Sequence, residues 1–369
     1  MLDKLPNELL LLIIQPALPP HDTLSPKTAG RRQALLTSLS RVNKRLCSLA
    51  KPLLLQSIVV GTPRQAELVS KLPKKLRVRV ETVVFHISTT SLDDIDPYDE
   101  DDVPDLLVGT EALDALVALP KAKHARFYDF GDLSTEHMTW QTRLDFDLSA
   151  KSPFIDLDSL FLSNCKLFFA GQGHVSPFAL AKLAFVGKTV LMNAGIDKLF
   201  RCDTLPALRV LRCAVFEYGE FGAWGTSSGA LNIPAELLTQ MEALQLNSRH
   251  AHTFPAISSK STRMLVDLGT WSFYEDLRGA ASKTRYIRLT SVHVDRWSSP
   301  AADVRDLHNL SAAFIHRDLL PDTVEPKNRD VAFALLDAVK QTPADIIWTG
   351  SDDHAFILPE FERYIKGRQ

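Results

Sequence analysis

The feature that most constrains the fold is a recurrence of short apolar segments from residue 157 onward. LDSLFLSNCKL (157–167), FALAKLAFVGKTV (178–190), LPALRVLRCAVF (205–216) and MEALQLNSRH (241–250) are followed by TRMLVDLGTWS (262–272), TRYIRLTSVHV (284–294), LHNLSAAFIHR (307–317) and ADIIWTG (344–350). With Leu160, Leu183, Leu208, Leu244, Leu265, Ile287, Leu310 and Ile346 as equivalent anchors, most steps are 21 to 25 residues and two are 36. Repeat architectures with one strand and one return segment per unit have steps of roughly 20–29 residues. Such a unit buries its apolar side only by stacking on the next. Leu208 and Val210 alternate as inward residues of one strand, with Leu211 at its turn. Asn164 and Asn247 stand just past their strands, where a side-chain amide can satisfy backbone groups. Pro234–Met241 and Asp330–Val339 are long enough for return helices. A doubly wound α/β domain competes with this reading, but the chain has no glycine-rich strand-to-helix turn and no evenly long crossover helices.

Before the repeats the pattern is helical. Leu5-Pro6 opens a helix, since proline in a first turn lacks only an N–H that would be orphaned, and Glu8 suits the same positive end. Leu5, Leu9 and Leu12 or Ile13 form a stripe that can face a core, and Pro16, Pro19 and Pro20 are expected to stop the helix. Residues 19–32 read as a loop, and residues 33–50 resume as helix with Leu35, Leu36, Leu39, Val42, Leu46 and Leu49 on one face. Ser40 or Asn43 can break that stretch in two, Pro52 is expected to end it, and Leu54–Val60 reads as a strand. A helix from Thr62 to Leu72 comes next. The basic residues Lys71, Lys74, Lys75, Arg77 and Arg79 then read as the polar side of a strand entering Thr82–Phe85. Residues 93–105 hold eight acids and two prolines, the composition of a surface loop. Leu106–Leu119 reads as helix and residues 123–130 as strand. The boundaries expected are a helical module over 1–60 and a repeat domain over 61–369.

No credible centre for chemistry emerges. GQGH at 171–174 lacks the third glycine of a nucleotide turn and reads as a plain turn after an exposed Phe168-Phe169 pair. His250 with His252, His293 with Asp295 and Asp353 with His354 lack the three-ligand spacing of catalytic zinc. No GxSxG elbow surrounds a serine, and the paired acids Asp145 and Asp147 have no evident partner. No catalytic residues, metal or cofactor are expected, and the chain is read as a non-enzyme. A net charge of −2 gives no nucleic-acid or membrane signature. The start MLDKLPNE is not that of a secretory signal, and the widely spaced Cys47, Cys165, Cys202 and Cys213 read as reduced. A cytoplasmic or nuclear location is therefore expected. Aromatic residues recur just beyond the strands, and Tyr218, Trp224, Trp271, Tyr274 and Trp297 are the candidates for contacting a protein substrate.

The opening stretch resembles an F-box, a trihelical module that begins LPxEL and closes on a V-x-[KR]-x-[FLW] segment before a strand. Leu5-Pro6-Asn7-Glu8-Leu9 matches its first helix, Ile13-Ile14 that helix's apolar end, and Leu36 and Leu39 the middle helix. Val42-Asn43-Lys44-Arg45-Leu46 with Leu49-Ala50-Lys51-Pro52-Leu53 matches the third, and Leu55, Ile58 and Val60 look like the linking strand. Two departures are a longer, proline-containing connection over 16–34 and Leu46 where an aromatic is common. The resemblance is to divergent fungal F-box proteins with irregular leucine-rich repeats. It implies an α/β chain in which the F-box-like module precedes an irregular leucine-rich-repeat-like solenoid. It also implies a Skp1-type adaptor, and through it a cullin, as partners, with Leu5, Pro6, Leu9, Ile13, Leu36, Val42 and Leu46 at the adaptor contact. The function implied is selection of substrates for ubiquitination. A repeat-based interaction scaffold without a ligase is the alternative.

Overall fold

The computed structural model describes residues 5–19, 25–87, 107–129, 143–170, 175–187, 189–192, 196–213, 217–219, 233–247, 263–268, 284–290, 304, 307, 309–320, 323–324, 326–350 and 355–367. The acidic stretch 93–105 and the GQGH turn lie outside the described residues, as do the paired His250 and His252, His293 and Asp295, and Asp353 and His354. The chain falls into two compact units, residues 1–180 with 188–190, and residues 181–187 with 191–369. This division lies among the strand segments, and the first unit extends well past residue 60.

The first unit opens with α1 (Asn7–Ala17), α2 (Pro26–Val42) and α3 (Lys44–Gln56). The loop expected over 19–32 is shorter than that, because Ser25-Pro26-Lys27-Thr28 is a helix start. Thr28 N–H donates to Ser25 Oγ at 3.1 Å, Ser25 N–H donates to Thr28 Oγ1 at 2.7 Å, and Pro26 takes the first turn. Asn43 does separate two helices. It is extended, and its Oδ1 accepts the Leu46 N–H at 2.8 Å. Pro16 and Pro52 lie inside α1 and α3 rather than ending them. Each removes one backbone bond, and burial of Ile14 beside the first, and of Ala50 and Leu53 around the second, outweighs that loss. Helix α3 consequently runs on to Gln56, and the strand β1 is only Ser57–Val60.

Beyond it lie α4 (Pro63–Lys71), α5 (Lys74–Arg77), β2 (Thr82–Ile87), α6 (Gly109–Val117) and β3 (His124–Asp129). Of the basic cluster, Lys74, Lys75 and Arg77 thus lie in a helical turn, while Lys71 ends α4 and Arg79 follows the turn; none of them is in a strand. Pro73 leads the turn, and its carbonyl accepts the N–H groups of Leu76 and Arg77. Next come β4 (Arg143–Asp147), β5 (Ser159–Ser163) and β6 (Lys166–Ala170). Strands β1, β2, β3 and β5 pair in parallel in that order, while β4 pairs with β6 alongside. Phe85 and Phe127 on one face stack at 4.7 Å, and Phe154 stacks on Phe146 of β4 at 4.6 Å. Phe169 of β6 belongs to this core at 5.6 Å from Phe146, so the Phe168-Phe169 pair is not exposed as a pair.

The second unit contains β7 (Lys182–Val186), β8 (Val190–Met192) apart from its first residue, α7 (Ile196–Leu199), β9 (Val210–Cys213), β10 (Glu217–Gly219), α8 (Ala235–Gln240), β11 (Ala243–Asn247), β12 (Arg263–Leu268) and β13 (Tyr286–Leu289). It continues with β14 (Ala312–His316), α9 (Arg329–Lys340), β15 (Asp345–Thr349) and α10 (Pro359–Gly367). Strands β7, β9, β11, β12, β13, β14 and β15 pair in parallel in chain order. The return segments expected at 234–241 and 330–339 are the helices α8 and α9.

A backbone junction recurs through both units. The carbonyl just before a strand accepts two successive N–H groups where the following strand of the stack begins. Glu81 O accepts from Lys123 and His124, Lys123 O from Asp158 and Ser159, Ala181 O from Arg209 and Val210, Arg209 O from Glu242 and Ala243, and Arg285 O from Ser311 and Ala312. Two residues ahead of a strand sits a buried small or apolar side chain, as at Ala122, Leu157, Leu180, Leu208, Met241 and Leu310. This corrects the anchors. Leu208 and Leu310 precede their strands, and Ala313 is the residue in register with Ile287. Leu265 also departs, pairing with Gln245 and Tyr286 on the face opposite Ile287. The run Met264-Leu265-Val266 is apolar at both parities, so alternation cannot choose its face.

The two faces of the second unit's sheet carry different partners. On one, Val266, Ile287, Ala313 and Ile315 pack with Leu335, Leu336 and Val339 of α9. On the other, Leu265, Ala312 and Phe314 pack with Leu358, Phe361 and Ile365 at and within α10. Both faces are covered, which fits near-continuous apolar strands.

Candidate functional site

Three helices build the best-defined surface feature. Leu10, Ile14 and Leu18 recur every four residues and face inward, where Ile14 and Leu18 meet Leu36, Ala50 and Leu53. The expected inward stripe is therefore rotated. Leu9 is 45% exposed, Leu12 65% and Ile13 55%, all on the outward side of α1. Val42, at the end of α2, is 65% exposed, and Leu35 is also exposed. Single apolar side chains at a surface are ordinary, but several large ones on a short helix need an explanation.

Polar contacts hold this arrangement. Arg45 Nε donates to Asn7 Oδ1 at 2.8 Å and its Nη2 donates to the Leu5 carbonyl, clamping the start of α1 to α3. Arg32, nearly buried, donates to the Pro19 carbonyl at 2.7 Å and to Gln56 Oε1 at 3.2 Å. Gln56 in turn donates to Glu81 Oε2 at 2.9 Å, tying the bundle to the start of β2. Burial lowers the Arg32 pKa from its ordinary value; a guanidinium stays charged through such a shift. Beside Val42 an open depression of about 530 Å³ is lined by Ser40, Arg41, Asn43, Lys44, Cys47, Ser48 and Lys51, giving the α2–α3 junction a basic rim.

Of the seven adaptor candidates, Leu9, Ile13 and Val42 are exposed, Pro6 is exposed beside them, and Leu5 and Leu46 are half-buried. Leu36 is fully buried, so it packs the bundle and is not part of its surface. Leu12, which the sequence pattern offered only as an alternative core position, joins the exposed set. Of the substrate candidates, Tyr218 lies in β10, while Trp224, Trp271, Tyr274 and Trp297 lie outside the described residues.

Several described groups capable of chemistry are engaged structurally. Asn164 adopts a left-handed φ of 60° and its Nδ2 donates to the Asp129 carbonyl at 3.0 Å, the backbone-satisfying role expected of it. Burial, then the nearby Asp129 charge, pushes the Cys165 thiol well above its usual pKa, which is the opposite of an activated nucleophile. Asp145 pairs with Arg143 at 2.8 Å, and Asp147 accepts from Ser149. Among the described residues no three His, Cys, Asp or Glu side chains converge as a metal site, and no helix is long and apolar enough to cross a membrane. The chain matches no model of a known protein family, and no curated protein matches it.

Proposed function

We propose that the chain is a non-enzymatic substrate-recognition subunit of a cullin-based ubiquitin ligase, acting in the cytoplasm or nucleus. Its amino-terminal helices take the role of an F-box and dock a Skp1-type adaptor. The strand repeats act as an irregular leucine-rich-repeat scaffold that presents the substrate. The observation that carries this reading is the outward set Leu9, Leu12, Ile13 and Val42, held on a bundle whose core is already filled by Leu10, Ile14, Leu18 and Leu36. These side chains contribute little to the bundle's own packing, and apolar residues concentrated in this way suit a partner surface. The motif LPNEL with VNKRL and LAKPL is the other support.

Co-purification of the full chain with a Skp1-type adaptor tests the reading. The native chain is expected to retain the adaptor. The combined change Leu9→Glu and Ile13→Glu should weaken retention by about thirtyfold or more, as for loss of an interface anchor, with an unchanged circular-dichroism spectrum. A folded native chain that fails to bind the adaptor refutes the reading.

A further inference from the structure

Strand β15 ends the parallel order of the second unit, and β14 is its one strand neighbour among the described residues. The Asp345 N–H donates to the Ser311 carbonyl at 3.0 Å. Successive residues of a strand turn their N–H and C=O to opposite edges. Asp345, Ile347 and Thr349 therefore face β14, while Ile346 and Trp348 present both groups to the free edge. Edge strands are commonly kept from pairing by lysine, proline, a bulge or shortness. The segment DIIWT has none of these. It is five residues long, as β14 is, and keeps register with Ala312–His316 without a bulge. Its one charge, Asp345, accepts the Tyr364 hydroxyl at 2.6 Å. Exposure sets β15 apart as well. Most of β14 is buried, whereas Ile346 and Ile347 are half-buried and Trp348 is 38% exposed. Phe333 of α9 is 43% exposed, and Leu320 beyond β14 is exposed too. The last strand-and-helix repeat thus carries exposed apolar side chains, where a terminal repeat needs a polar outer face.

We propose that β15 is a dimerisation edge, which pairs antiparallel with β15 of a second copy of this chain about a two-fold axis at Ile347. The strand is matched to itself in that register. Ile346 of each copy lies opposite Trp348 of the other, and each such pair exchanges both N–H···O=C bonds, which uses every outward main-chain group of the strand. An aliphatic side chain then meets an aromatic one in both pairs, a favourable cross-strand combination, and Ile347 meets its own copy. Asp345 falls opposite Thr349, so no like charges oppose each other. This self-matched register favours a second copy over an unrelated extended segment. An interface of this kind is isologous and closes at two copies. It holds whatever the amino-terminal helices bind.

Sedimentation velocity of the full chain tests this. The native chain should pass from monomer to dimer between roughly 1 and 100 μM. Trp348→Lys keeps the ladder to β14 and sets a lysine on the edge, so it should raise the dissociation constant at least about tenfold. Ile347→Cys puts one thiol from each copy at the axis, in a non-hydrogen-bonded pair whose Cα atoms lie about 4.5 Å apart, within reach of a disulfide. Mild oxidation of that variant should give a covalent dimer on a non-reducing gel, scored against the native chain, whose own cysteines set the background. Dilution below the dissociation constant leaves the edge open, so hydrogen exchange over 345–349 should slow as the chain is concentrated. A native chain that stays monomeric through this range overturns the proposal. So does a dimer that Trp348→Lys leaves equally tight or that Ile347→Cys fails to cross-link, because the contact then lies elsewhere. If Trp348→Lys loses its cooperative melt, the cross-link alone decides.

Discussion

Arg288 lies almost wholly buried on the face of the second unit that α10 covers, with Asp267 at 2.9 Å and Gln245 Nε2 at 3.4 Å from the same carboxylate oxygen. Removing one charge of such a pair strands the other in a place water does not reach. Asp267→Ala is expected to destabilise the chain by about 3–5 kcal/mol in denaturant unfolding; a loss below about 1 kcal/mol would show that the pair is not effectively buried. His86 behaves differently. Partial desolvation lowers its pKa, and the raising effect of Asp129 is smaller. As pH falls, the unfolded chain therefore takes up this proton before the folded one. The His86 contribution is fully present above the unfolded value, roughly pH 6.5, and is lost as pH falls from there through the folded pKa. His86→Gln should flatten the fall in melting temperature between neutral pH and that range, and an unchanged profile would contradict the assignment.

At the level of elements, helix limits follow from caps more than from prolines. Ser25 with Thr28 starts α2, and Asn43 starts α3 directly after α2 has ended. Each cap satisfies a backbone N–H that has no partner within its helix. Ser25→Ala and Asn43→Ala are each expected to cost about 1 kcal/mol of stability, measured by chemical denaturation, with smaller losses for glycine at the same positions. Equal losses for alanine and glycine would point to packing as the cause. Strands obey a second local rule, in which a buried residue, one spacer and then the first strand residue recur, with the spacer's carbonyl receiving two N–H groups from the next stacked strand.

At the scale of the molecule, the parallel pairing of β7, β9, β11, β12, β13, β14 and β15 gives central strands two hydrogen-bonded neighbours and β15 one. Opening a central strand breaks both ladders and uncovers both apolar faces, so local stability should peak in the middle of the stack. In hydrogen exchange followed by mass spectrometry, peptides containing Leu246, Val266 and Ile287 should exchange more slowly than one spanning 345–349. Exchange of β15 as slow as that of β12 would mean this edge is covered.

The sequence by itself determined the α/β class, the helical start, most strand segments of the repeat region and the return helices at 234–241 and 330–339, because these depend on local apolar periodicity and turn residues; it missed β4 and read the basic turn at 74–77 as strand. It also placed Asn164 correctly and named Asn43 with Ser40 as the break between helices, of which the structure selects Asn43, since a short amide side chain beside a break in pattern has few other uses. Tertiary structure decided which side of each element is buried. Helix α1 is apolar nearly all round, so Leu5-Leu9-Leu12 and Leu10-Ile14-Leu18 are equally good stripes until α2 and α3 select the second. The same ambiguity put Leu265 on the wrong face of its strand. Sequence alone could not show that residues 355–367 return to the sheet, because the groups that receive them, Arg212, Gln245 and Arg263, are roughly a hundred residues or more earlier in the chain. Only folding brings those groups onto one face, where satisfying buried polar atoms and covering Leu265, Ala312 and Phe314 favour the same docked helix.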